Sequence, residues 1–217
     1  MTLPLRADLW SSLFVHSIHF MPTLNSRKNV LVVLGHPANS SYSAALADAY
    51  AQSAQAAGHT VRVLRLADLR FDAILHGSNP HHQALEPDLL AAQESIVWAQ
   101  HIAWVFPVWW GGVPALLKGF LDRTFISGWG YKFKQGSPFP EPLLKGRTAH
   151  LIVLMDTPPW YYRWVYRMPA IHQMKKTTLE FCGIRPVKTL MLGTVIHSTP
   201  VQRAQWLDRA RALAERI

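Results

Sequence analysis

Apolar and polar positions along this chain change rhythm in a regular order. Residues 30–34 form an unbroken Val/Leu run of strand length, bounded by Gly35. A run with no polar member fits a strand buried on both faces, as in the middle of a parallel sheet. Residues 41–57 are rich in alanine, with Leu46 and Tyr50 one turn apart and Gly58 placed to stop a helix. Residues 60–66 supply a second strand, and beyond a loop reaching Pro87 the pattern predicts a helix over 88–99 and a third strand over 102–106. Val113, Leu116, Leu117, Phe120 and Leu121 recur at helical spacing, giving one apolar stripe to pack on the sheet. Residues 149–155 and 187–195 read as the fourth and fifth strands, and Trp206, Leu207, Ala210, Leu213, Ala214 and Ile217 mark a closing helix. Five strands alternating with five helices predict an α/β three-layer sandwich, a five-stranded parallel sheet of order 2-1-3-4-5 with helices on both faces.

The beginning of the chain falls outside this rhythm. Residues 9–20 are weakly apolar, interrupted by Ser and His, too short and polar to span a membrane and without the basic start of a secretory signal. Residues 1–28 are read as an extension outside the fold, and residues 29–217 as one domain. The extension is either an upstream start, with Met21 as an alternative initiator, or an ordinary packing arm.

Composition narrows the setting. The 217 residues are 49% hydrophobic, enough to bury a full core. The single cysteine, Cys182, excludes an intramolecular disulfide, and a reducing cytoplasm fits best. A formal charge of +9 favours anionic partners: nucleic acid, a membrane surface or phosphorylated small molecules. The basic residues are scattered and no RNA-recognition signature is present, which argues against nucleic acid.

In a sheet of this order the ligand sits beyond the carboxyl ends of strands one, three and four. The first such end, GHPANSSYSAAL at 35–46, brings Ser40, Ser41 and Ser43 to a helix start, where free N–H groups and the helix dipole favour a phosphate. Simple helix capping by one serine accounts for part of the same pattern. The loop has neither a Walker A element nor a GxGxxG turn. The second end, FPVWWGG at 106–112, offers two aromatic faces, and two glycines let a flat ligand approach the backbone.

At these residues the chain resembles the NAD(P)H:quinone oxidoreductase family of flavodoxin-fold flavoproteins, which includes DT-diaphorase and the potassium-efflux ancillary reductases. HPANSSYSAAL, FPVWWGGVPALLKGFLDRTF and GWGYKF carry the likeness, with EFCGI at 180–184 and HSTP at 197–200, and it spans residues 29–217 in order. The resemblance implies a flavodoxin-like fold and a bound flavin, FAD or FMN. His36, Ser40, Ser41, Tyr42 and Ser43 match positions at the flavin's phosphate arm and ring, and Pro107, Val108, Trp109, Trp110 and Gly111 match the loop lining the isoalloxazine. Of the two tryptophans, Trp110 is favoured as the ring contact. Tyr131 and Phe133 match aromatics that cover the nicotinamide and quinone pocket. The implied activity is hydride transfer from NAD(P)H through flavin to a quinone or similar acceptor.

The third strand end departs from the family. Its usual Thr-Thr-Gly-Gly is replaced here by Asp156-Thr157-Pro158-Pro159, and the prolines remove two backbone donors. Asp156 and Thr157 remain as ring-edge contacts. In the aromatic and basic segment that follows, Tyr161 or Tyr162 with Arg163 can replace the lost donors, or the segment is a subunit interface. Tyr162 and His172 are carried over as the family's charge-stabilising pair, although their spacing does not agree. His76, His81 and His82 lack the accompanying ligands of a metal site, and none is expected. The resemblance also implies a homodimer. A regulatory subunit docked on a membrane transporter and a flavodoxin-like electron carrier are the competing readings.

Overall fold

Val30 to Leu34 offer water no polar side chain, and in the computed structural model, which describes residues 27–77 and 79–217, all five are completely buried within β1 (Asn29–Leu34). Residues 1–26, which hold most of the expected extension, lie outside the described residues. From β1 the chain continues through α1 (Tyr42–Ala56), β2 (Thr60–Arg65), α2 (Pro87–Trp98), β3 (His101–Pro107) and α3 (Ala115–Thr124). A small hairpin, β4 (Tyr131–Lys132) with β5 (Glu141–Pro142), precedes β6 (Thr148–Leu154). The remaining elements are α4 (Pro159–Trp164), α5 (Pro169–His172) running into a π-helical stretch (Gln173–Glu180), β7 (Val187–Leu192) and α6 (Pro200–Ala214).

The main sheet has the order β2-β1-β3-β6-β7 with every pairing parallel, which is the expected 2-1-3-4-5 arrangement. Its register brings Leu34 beside Val105 and Leu154 beside both Pro107 and Leu192, so the carboxyl ends of β1, β3, β6 and β7 form one edge. Alternate side chains of the strands enter two cores. Leu31, Val33, Trp104, Phe106, Leu151 and Val153 pack toward α2, α3 and the α4–α5 segment. Val30, Val32, Leu34, Ala103, Val105 and Ile152 pack toward α1 and α6. Burial on both sides explains why these strands carry continuous apolar runs.

Two strand ends and one hairpin differ from the sequence pattern for local reasons. The strand expected through residue 66 ends at Arg65, because Leu66 begins a 3₁₀ turn and turns into the core. The one expected through residue 195 ends at Leu192, where Thr194 adopts a left-handed backbone with φ 56°. The β4–β5 hairpin has strands of two residues each, too short to show a period. Cys182 is buried, and desolvation pushes its thiol up to about 12, consistent with a packing role.

The long connection between β2 and α2 is held by one side chain of α3. Arg123, 1% exposed, donates to both carboxylate oxygens of Glu86, at 3.2 and 2.9 Å, and to the carbonyls of Asp72 and Ala84. A guanidinium in such a place needs every one of these partners, because burial removes its water. Arg123→Ala should therefore lower stability by about 3 kcal/mol, read as a drop in the urea midpoint, and Arg123→Lys should recover only part of it because an ammonium lacks the planar fork.

Candidate functional site

Three loops leave the carboxyl edge of the sheet. The first begins at Gly35, whose N–H donates to Val105 O, and carries His36 to the rim. Ser41 caps α1 in extended conformation, its Oγ accepting from Ala44 N–H at 3.2 Å. The first backbone bond into the helix is Ala45 N–H to Ser41 O, which leaves the Tyr42 and Ser43 amides ahead of the ladder as donors. A small cavity of about 160 Å³ opens here, lined by His36, Ser41, Tyr42 and Ser43 together with Pro107 to Trp109 and the end of β6. The cap uses only one serine oxygen, and Tyr42 and Ser43, whose amides lie ahead of the helix ladder, line the cavity.

The second loop is a tight reversal. Trp109 N–H donates to Gly112 O and Gly112 N–H to Trp109 O, at 3.0 and 2.9 Å, with Trp110 and Gly111 as the two central residues. Both have positive φ, 50° and 79°, the mark of a primed hairpin turn. Glycine takes this conformation freely, whereas tryptophan pays a steric penalty for it. The turn thrusts the Trp110 ring outward to 105% relative exposure, while Trp109 sets its ring edge against His36 with centroids 5.7 Å apart.

The turn is braced from the α4–α5 segment. Gly111 O accepts from the Tyr162 hydroxyl at 3.1 Å and from Ala170 N–H at 3.2 Å, and the same hydroxyl accepts from Ala170 N–H at 3.0 Å. Tyr162 is fully buried, and desolvation raises the pKa of its phenol. The third loop supplies the start of that segment. Pro158 precedes α4 and Pro159 is its first residue, where a fixed φ and a missing N–H suit a helix start. Gly193 makes room for this corner, because a Cβ there would come within 2.4 Å of Pro159 Cδ. The Asp156 carboxylate accepts from Ile196 N–H at 2.8 Å and ties the loop to the one after β7.

Between the second and third loops lies a cavity of about 770 Å³ lined by Val108, Trp109, Trp110, Gly111, Asp156, Thr157, Tyr162, Tyr166 and Pro169. It adjoins the smaller cavity, with Val108, Trp109 and Asp156 lining both. Its volume falls in the roughly 300–1,000 Å³ range of small-molecule sites. A bowl with aromatic walls leading to a notch with helix-start donors matches a molecule with a flat ring at one end and an anionic group at the other.

The structure brings together most, though not all, of the residues singled out in the sequence. His36, Ser41, Tyr42, Ser43, Pro107, Val108, Trp109, Trp110, Gly111, Asp156 and Thr157 line these two cavities. Ser40 is exposed and lines neither. Tyr42 is partly committed to packing α1 on α6, its hydroxyl donating to Arg203 O at 2.6 Å and its ring lying near Trp206. Tyr161 lies outside the bowl, its ring edge-to-face with Trp160 and Tyr166.

The expected charge-stabilising pair is not assembled. The Tyr162 hydroxyl is spent on Gly111 and Ala170, which makes Tyr162 a positioning residue. His172 lines a separate cavity with Arg163, Arg167 and Lys175. Tyr131 and Phe133 contact each other, with ring centroids 5.6 Å apart, but Tyr131 lines a cavity beside Phe181 and Cys182 and neither residue reaches the bowl within this chain. Leu154, Met155, Tyr166, Pro169 and Val195 complete the lining and were not singled out. Apolar strand-end residues look in sequence like ordinary core, and the aromatic segment at 160–169 was the only signal for Tyr166 and Pro169. No group of His, Cys, Asp and Glu among the described residues forms a metal site.

The profile of the family described as flavodoxin-like fold matches residues 28–215. A Haemophilus influenzae protein named as an uncharacterized NAD(P)H oxidoreductase is 29% identical over 173 residues, 77% of this chain and 84% of that one. An FMN-dependent NADH:quinone oxidoreductase of Listeria innocua is 30% identical over 129 residues, 57% of each chain. The crystal structure of a Streptococcus mutans protein superposes with a TM-score of 0.77 at 29% identity, covering 87% of this chain and all of that one.

The turn's geometry gives a paired expectation. Tyr162→Phe should destabilise by about 1 kcal/mol, since the Gly111 carbonyl and the Ala170 amide each lose one partner and keep their bond to each other. Trp110→Asn should instead stabilise by about 1 kcal/mol, because asparagine tolerates positive φ better than tryptophan. Urea denaturation of the two variants beside the parent checks both signs.

Proposed function

Because the chain belongs to the flavodoxin-like fold family, we propose that it is a flavin-dependent NAD(P)H:quinone oxidoreductase. The observation that carries this reading is the continuity of the two cavities, an aromatic bowl joined to a helix-start notch on the edge of the sheet where this fold places its ligand. Names among the relatives support a flavin with a nicotinamide co-substrate, and the FMN in one of those names favours that form.

The residues have divisible tasks. The Tyr42 and Ser43 amides and the Ser41 hydroxyl would hold the flavin's phosphate, aided by the positive end of α1. Trp109, Val108 and the backbone of the Trp109–Gly112 turn would line the ring, and Thr157 would meet its edge where the two prolines have no N–H to give. When bound, the flavin supplies the redox chemistry, accepting and passing on a hydride. The protein orients the nicotinamide and then the acceptor in the open side of the bowl, with Trp110 and Tyr166 as flat walls. Asp156 is the only side-chain carboxylate in that lining, and its bond to Ile196 N–H fixes it in place. Its negative charge favours acceptors that are neutral.

Exposed Trp160, Trp164, Val165 and Tyr166 on and just after α4, with Arg163 and Arg167, form an aromatic and basic surface that reaches the bowl through Tyr166. This composition supports a homodimer closing over the bowl, which would also give Tyr131 and Phe133 a role across the interface. The same surface supports, as a second reading, docking on a membrane transporter. Among the described residues no helix is long and apolar enough to cross a membrane, and a cytoplasmic setting belongs to the same proposal.

Purified protein should carry or take up a flavin, and anaerobic NAD(P)H should bleach its visible absorbance until a quinone restores it. Ser41→Ala and Trp109→Ala should each weaken flavin affinity about tenfold, equivalent to about 1.4 kcal/mol, measured by fluorescence titration. Protein that binds neither FAD nor FMN would overturn the reading.

A further inference from the structure

The opposite end of the sheet carries a polar structure that the proposed redox site does not use. Tyr50 of α1 is buried, with its hydroxyl 3.0 Å from His101 Nε2 and 2.8 Å from His150 Nδ1. His101 Nδ1 lies 2.6 Å from Thr148 Oγ1. Both histidines are core residues, 1% and 3% exposed, at the amino ends of β3 and β6. Burial pushes His101 down to about 2 and His150 to about 4, so near neutrality each ring carries a single proton. Among the described residues, His150 Nε2 has no hydrogen-bond partner, yet it is not one of the fully enclosed orphan atoms.

His150 and His101 line a cavity of about 150 Å³. Lys28, Lys188 and Arg216 line it as well, and none of the three takes part in an ion pair among the described residues. No carboxylate side chain is in the lining. At roughly 30 Å³ per water the space holds about five waters, too little for a nucleotide and enough for one small ion. Three cations around a pocket with a buried imidazole present net positive potential, which the main-chain carboxylate of Ile217, also in the lining, offsets only in part among the described residues.

We propose that this cavity is a binding site for a tetrahedral oxyanion, a phosphate group held by Lys28, Lys188 and Arg216 with His150 Nε2–H as the buried donor. The hydrogen-bond chain gives the site a sense of direction. A tyrosine hydroxyl has one proton, so it donates to one imidazole and accepts from the other. In one ordering His150 Nδ1–H donates to Tyr50, which donates to His101 Nε2, and His150 Nε2 is then a bare acceptor. In the reverse ordering Thr148 donates to His101 Nδ1, His101 Nε2–H to Tyr50, and Tyr50 to His150 Nδ1, leaving Nε2–H to donate into the cavity. An anion in the cavity selects the second ordering.

The test uses isotope-labelled protein as purified, titrated with inorganic phosphate and, separately, with ribose 5-phosphate, against potassium chloride at equal ionic strength. Histidine ring ¹⁵N spectra should show both His101 and His150 in the Nε2–H form as phosphate saturates. The Lys188→Ala/Arg216→Ala double variant, altered only at exposed positions, should bind at least tenfold more weakly with its urea midpoint in chloride unchanged. Saturation by inorganic phosphate alone identifies a free ion as the ligand, and saturation by both identifies a terminal phosphate on a larger molecule. No saturable effect of either over chloride, or equal affinity in the double variant, overturns the proposal. Binding at the helix start of α1 is told apart, because it would neither change the His150 ring nor respond to the double variant.

Discussion

Parallel pairing in one sheet sends the carboxyl ends of all five strands the same way, and the rest of the molecule follows from that constraint. Each strand must be returned by a crossover that covers a face, so the central strands β1, β3 and β6 lose contact with water on both sides and carry apolar runs, while the edge strands β2 and β7 keep exposed polar positions. Polar side chains are then displaced to the edges. At the carboxyl edge they sit on loops, where backbone donors and exposed rings build a binding bowl. At the amino edge they are pulled inside, where Tyr50, His101, His150 and Thr148 bond to one another and leave over only His150 Nε2. Polar chemistry at the two ends of one sheet therefore has opposite character, open and adaptable at one and enclosed and ordered at the other.

The loops at the carboxyl edge are not independent. Gly111 presents its carbonyl to Tyr162, Asp156 presents its carboxylate to the segment after β7, and Gly193 lets Pro159 settle against the end of that strand. Prolines at 158 and 159 cost the bowl two backbone donors but start α4 firmly, and α4 supplies the tyrosine that holds the turn. Loss at one position and support at another thus arise from the same pair of prolines. Stiffness in this site comes from lining side chains, Tyr162 and Asp156, whose polar atoms are engaged by neighbouring backbone, which is how a loop-borne pocket keeps a defined shape.

Sequence pattern disclosed the sheet well because its signal is repeated: five strand-length runs and a helical stripe such as Val113 to Leu121 all point to one architecture. The bowl was legible where residue type and backbone requirement coincide, as in Trp-Trp-Gly-Gly between a strand and a helix. It was illegible where function depends on which partner a group finds in space. Nothing local in Trp-Tyr-Tyr-Arg says that Tyr162 turns inward to Gly111 while Tyr161 stays outside. Leu154 reaches the lining because register sets the end of β6 beside β3 and β7, and Met155 and Val195 because the segments just past those strands bond to each other, relations between segments that one segment cannot display. The amino-edge network escaped notice for the same reason, its four members being 47 to 100 residues apart along its bonds.

Trp110 joins a rigid mount to a free blade. Two backbone rungs and the Tyr162 brace fix where its Cα stands, while its fully exposed ring has no neighbour to constrain rotation about two torsions. Reshaping the mouth of the bowl then requires no loop movement and little ordering entropy. A swing of that one indole would change the outline of the mouth while the backbone that builds the pocket stays where it is.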